Sequence, residues 1–132
     1  MLRKIIDALR NNDKGNATLD IKLIKCLGFK LETVITIDVR GESTIELFWK
    51  NKFGILFWPG NLLPRFTTCE SAYLPGTPKG EWQIIISSSG YTYAALTVTD
   101  SKQYSGAAGT PSLARRLAEL LAIKGEHVYG FL

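Results

Sequence analysis

Thr33-Val-Ile-Thr-Ile-Asp-Val-Arg-Gly-Glu-Ser-Thr-Ile-Glu-Leu-Phe-Trp49 decides the fold class. Ile35, Ile37 and Val39 alternate with Thr36, Asp38 and Arg40. That period of two marks a half-buried strand, because successive side chains point to opposite faces. Arg40-Gly-Glu42 turns the chain, and Ile45, Leu47 and Trp49 then line one face of a second strand. Asn51-Lys52 makes a tight turn into a third, apolar strand over Phe53 to Trp58. The stretch reads as an antiparallel meander.

The pattern on either side is helical. Leu2, Ile5, Ile6 and Leu9 fall at i, i+3, i+4 and i+7, which predicts an amphipathic helix over residues 2–11. Asn11 to Asn16 ends it, and a second helix runs from Thr18 to Leu27 with Gly28 as its stop. Beyond the meander, Pro59 to Pro64 is a loop. Thr67-Thr-Cys-Glu70 has the form of a capping box and predicts a short helix through Leu74, broken by Pro75-Gly-Thr-Pro78. Two more strands follow, Trp82 to Ser87 and Tyr91 to Thr99, joined at Ser88-Ser-Gly90. Asp100 to Ser105 leads into a glycine-rich loop, Gly106-Ala-Ala-Gly109. Thr110-Pro111 then opens a helix whose Leu113, Leu117, Leu120 and Leu121 recur at helical spacing and which Gly125 closes. The string is ααβββαββα: a single α+β domain, residues 1–132, with a largely antiparallel sheet of about five strands covered by helices.

Composition bounds the function classes. With 132 residues, 45% of them hydrophobic and 21% charged, the chain is of a size and balance to form one soluble domain. No apolar run approaches the ~20 residues of a membrane helix, and Arg3, Lys4, Asp7 and Arg10 interrupt any signal-peptide core, so a cytoplasmic location is expected. Cys26 and Cys69 are too few for a disulfide framework. With His127 as the lone histidine, no zinc site of the usual kind can be built, and neither a metal nor a cofactor is expected. The net charge of +4 lies in the first thirty residues, which hold seven Lys or Arg against three Asp. No aromatic interleaves with these cations before Phe29, which argues for a solvated helix face over a nucleic-acid surface.

Three blocks look like the conserved blocks of the phage "ABA sandwich" domain family. They are Leu19 to Phe29; Leu63-Pro-Arg-Phe-Thr-Thr68 with Ala72; and Gly109-Thr-Pro-Ser-Leu-Ala114 with Leu117 to Leu121. The blocks occur in the family's order and span most of the chain. The resemblance implies a small phage or prophage protein with helices on both sides of a sheet (an α-β-α sandwich), in a family whose members mostly lack an assigned activity. The chain departs from the family between Glu32 and Phe48, where two extra strands are inserted.

The candidate chemistry is sparse. Cys69 and His127 with an aspartate make a hydrolase only on paper, since His127 lies in a terminal tail and Cys69 in a predicted helix. Asp38, Glu42 and Glu46 gather around one hairpin, where a polar outer face is the plainer role and where Asp38 and Glu46 could approach each other. No Walker loop and no G-x-G-x-x-G opens a helix. What is left is an anion site. The Gly106 to Thr110 amides at a helix amino end would hold phosphate, Lys102 and Arg65 would neutralise it, and Tyr91 or Tyr93 would pack on a base. The plainer alternative makes Thr110 a cap, Arg65 a loop-pinning residue and the tyrosines sheet packing. Arg115 and Arg116 lie outside the leucine stripe and are expected to face solvent or a subunit contact.

These readings converge on a non-catalytic phage or prophage accessory protein that binds a small anionic, nucleotide-like ligand, for instance by sequestering a nucleotide signal of bacterial antiviral defence. The alternative is a protein-binding module, either an inhibitor of a host factor or a minor structural component. It would use the apolar strand Phe53 to Trp58 or the basic helices, and self-association into a homo-oligomer would occupy the same surface.

Overall fold

The computed structural model describes residues 2–99 and 101–125, so Met1, Asp100 and the segment from Glu126 on, His127 included, lie outside it. The elements run α1 (Leu2–Asn11), α2 (Ala17–Cys26), β1 (Lys30–Ile37), β2 (Ser43–Lys50), β3 (Leu56–Pro59), β4 (Glu81–Ile86), β5 (Thr92–Thr99), β6 (Lys102–Ala108) and α3 (Pro111–Lys124). The class is α+β, as the sequence predicts, but six strands form two three-stranded antiparallel sheets, β1-β2-β3 and β4-β5-β6, in place of one sheet of five. The described residues divide into two compact units. One takes in α1, the start of α2 and the described chain from Arg65 on, and the other is Ile21–Pro64.

In the Ile21–Pro64 unit, Gly28 stops α2 with φ 91, and Phe29 turns inward to stack on Trp58 with centroids 5.4 Å apart and to meet the Phe57 ring edge-on at 4.9 Å. The β1–β2 hairpin is in unbroken register from Lys30↔Lys50 to Ile37↔Ser43. At its tip the Asp38 carboxylate accepts the N–H groups of Arg40 (2.8 Å) and Glu42 (3.0 Å), and Gly41 supplies the positive φ of 81. This occupies Asp38, and Glu46 pairs with Val34, about 13 Å further along the strand. The two carboxylates therefore do not form a pair. β3 starts at Leu56 instead of Phe53, because the Asn51 side chain accepts from both Phe53 and Ile55 N–H and holds those residues in the turn.

In the other unit, α3 packs on β5 and β6, and α1 packs on α3 and β6. Ile5, Ile6 and Leu9 of α1 are buried, as their spacing requires. Two expectations fail here. Gly106 to Ala108 of the expected glycine-rich loop are the end of the strand β6, paired with β5 from Thr99↔Lys102 to Thr92↔Ala108, and Gly109 alone bends into the helix cap. Small residues suit it because α3 lies close: a Cβ on Gly106 would come within 2.8 Å of the Leu117 side chain. The helix expected from Thr67 to Leu74 is a run of turns. Its capping threonine is used elsewhere, the Thr67 N–H and hydroxyl both donating to Asp20 Oδ1 at 2.8 and 2.6 Å.

The carbonyls of that run meet a side chain instead of a helical ladder. Arg116 donates to the carbonyl oxygens of Phe66 (3.3 Å), Cys69 (3.2 Å), Glu70 (3.0 Å) and Ala72. Its neighbour Glu119, 2.7 Å from Arg116 Nε, accepts the Leu74 N–H. Both side chains are essentially closed to solvent, at 0% and 1%. Arg116 thus does not face solvent as expected. It stands three residues after Leu113 and four before Leu120, inside the apolar register, and satisfies the backbone of the turn segment that crosses α3.

Candidate functional site

The residues proposed for an anion site occupy a corner of the β4-β5-β6 sheet and its surroundings, and they do not converge. Thr110, at φ −139 and ψ 159, is the cap of α3: its hydroxyl accepts the Leu113 N–H at 3.2 Å, and Ala114 N–H goes to its carbonyl at 3.0 Å. The amino end is therefore partly spent on its own cap. Gly109 faces carbonyl oxygens, a Cβ there coming within 3.3 Å of Asn12 O and 3.5 Å of Asp13 O, which is a poor approach for an anion. Gly106 is buried in β6 and faces Leu117.

Tyr93 pairs with Ala107 and Ile85, one residue out of phase with Gly106, and so stands on the sheet face turned away from α3. Tyr91 is exposed beside the β4–β5 turn. Lys102 opens β6 at its opposite end, about 20 Å along the strand from Ala108, where the chain leaves for Thr110. Arg65 is exposed and starts the turn segment, its carbonyl accepting Thr68 and Cys69 N–H. Only Tyr91, Gly109 and Thr110 share an end of the sheet.

Other polar groups are arranged for structure. Burial drives the Glu119 carboxyl up to about 7 against the pull of Arg116, and burial likewise lowers the Arg116 guanidinium. The Cys69 thiol is lowered, first by the Ser71 hydroxyl 3.3 Å away and next by backbone N–H groups of the same turn. That favours the thiolate, but among the described residues no carboxylate is hydrogen-bonded to it, and His127 lies outside them. Arg115 lies over the Trp82 ring at 4.7 Å and reaches Glu70 at 3.4 Å, a surface contact. Among the described residues, no three His, Cys, Asp or Glu side chains gather where a metal could sit, and no described helix is long and apolar enough to cross a membrane.

One surface does stand out. On the β1–β2 hairpin the register aligns Leu31 with Trp49, Thr33 with Leu47, Ile35 with Ile45 and Ile37 with Ser43, a face without a charged residue. The charged pairs, Lys30 with Lys50 and Glu32 near Lys50, sit on the reverse. The sequence predicts this face half-buried, yet Ile35 (64%), Ile37 (70%), Ile45 (69%) and Leu47 (50%) are open. Beside it lies a shallow depression of about 690 Å³ lined by Leu31, Ile45, Leu47, Pro59, Gly60 and Leu62, with Glu46 and Asn61 as its polar members. The alternation that reveals the face is in the sequence; its exposure is not. The chain matches no family model, no curated protein and no solved structure.

Proposed function

We propose that this is a non-catalytic, protein-binding module that works through the uncharged face of its hairpin sheet. The observation carrying the reading is the run of exposed Ile35, Ile37, Ile45 and Leu47 on one face, with the charges on the other. A soluble chain rarely leaves a contiguous apolar patch of this kind without a partner. The phage or prophage setting implied by the resemblance to the "ABA sandwich" family is part of the proposal, and in that setting such a module would serve as an inhibitor of a host factor or as a minor assembly component. A complex of fixed composition isolated from the native host should dissolve on Ile45→Asp, with the circular dichroism unchanged. A complex indifferent to that substitution would overturn the reading.

A second reading, sequestration of a small nucleotide-like anion, has one observation behind it: Tyr91, Gly109 and Thr110 meet at the same end of the β4-β5-β6 sheet. Lys102 and Gly106 drop out of it, for the reasons of geometry given above. Native mass spectrometry of the purified protein, followed by denaturation, should then release a nucleotide in fixed stoichiometry, and Gly109→Leu should abolish the retention. A nucleotide that stays bound in Gly109→Leu would remove these residues from the reading.

A further inference from the structure

Resting on the reading of the hairpin face as a protein contact, we infer that its partner is a second copy of this chain, packed face to face so that the two β1-β2-β3 sheets form a sandwich. Leu31, Ile35, Ile37, Ile45, Leu47 and Leu62 leave open between 44 and 70% of their surfaces, and with Val39 at the hairpin tip they offer close to the ~800 Å² per partner that a stable two-chain interface buries. Across the paired strands the face carries no charge, and its polar groups are Thr33, Ser43 and the buried Trp49 indole, with Glu46 and Asn61 at the rim by Leu62, so a partner must present a largely apolar surface of its own. An identical copy does so by symmetry, since a two-fold contact joins one patch to itself. Two such faces would pack about 10 Å apart with their side chains interdigitated.

Charge fixes the orientation. The hairpin tip carries Asp38 and Glu42 against Arg40, a net negative end. The base carries Lys52 in its turn, with Lys30 on the reverse beyond the Lys50–Glu32 ion pair, a net positive end. A two-fold axis lying between the sheets and running across the strands sets the tip of one copy over the base of the other, bringing opposite signs together. An axis along the strands sets tip on tip and base on base, which repels. Face-to-face packing is also what distinguishes this assembly from strand addition at an edge of the sheet, β1 or β3, because pairing along an edge would leave the apolar face in water.

The experiment is sedimentation equilibrium of the purified chain over a wide concentration range. The wild type should fit a monomer–dimer equilibrium. Ile45→Asp, and independently Ile35→Asp, should weaken association on the order of a hundredfold, with far-ultraviolet circular dichroism retained because both side chains are exposed in the single chain. Glu42→Lys should weaken it about two- to fivefold, and adding Lys52→Glu to the same chain should restore it. A dimer that survives Ile45→Asp would overturn face-to-face packing and indicate edge pairing. A wild type that is monomeric throughout would overturn the second copy as partner. If that monomer still lost a host-derived complex on Ile45→Asp, the protein-binding reading would stand without it; indifference in both assays would sink both.

Discussion

Single residues carry the clearest physical tests. Glu119 titrates near 7 in the folded chain against an ordinary value of 4.5. As pH rises the unfolded carboxyl loses its proton first, so this group costs stability progressively between about pH 4.5 and 7 and adds no further change above. The urea midpoint should therefore be higher near pH 5 than near pH 8, by the equivalent of about 1 to 3 kcal/mol from this group, and Glu119→Gln should flatten that dependence. Arg116→Met should be more damaging, at about 3 to 5 kcal/mol, because it abandons the carbonyls of Phe66, Cys69, Glu70 and Ala72 and leaves Glu119 buried without its cation. Thermal unfolding of the two variants at neutral pH would rank them. Arg116 was legible in principle: its spacing from Leu113 and Leu120 places it on the buried side, but a charged side chain in an apolar register is identified as buried only when its partners are known. Those partners are backbone carbonyls some 45 residues upstream.

At the scale of elements, periodicity served well and composition less so. The helix from Pro111 with its Thr110 cap and Gly125 stop stands as read, as do α1 and the hairpin alternation. Gly106 to Gly109 misleads because glycine and alanine occur both in loops and in strands pressed against a helix, and only the nearness of Leu117 tells them apart. Gly106→Ala should cost about 1 to 3 kcal/mol by forcing β6 and α3 apart, while Thr110→Ala should cost about 1 kcal/mol through the lost cap. Chemical denaturation followed by tryptophan fluorescence would measure both. The capping-box pattern at Thr67 to Glu70 misleads for a related reason: Asp20 outbids the local helix for the threonine hydroxyl and amide.

For the molecule as a whole, the excess positive charge of the first thirty residues favours solubility, and an uncharged sheet face opposes it. An association driven by that face should persist at high salt, with only the contribution of the hairpin ends screened away. Sedimentation in low and high salt should show a modest change, and a dimer that falls apart in salt would assign the contact to charge instead of apolar burial.

The sequence by itself determined the α+β class, the run from helices into an antiparallel meander, and the boundaries of the capped last helix. All of these depend on neighbours within a few residues, where period, caps and turn residues act. The tertiary structure decided that there are two three-stranded sheets, that the glycine-rich segment is a strand, that Arg116 is buried, and that the hairpin face is open. Each of those depends on which distant group arrives, and a pattern of alternating side chains states which faces exist without stating what covers them.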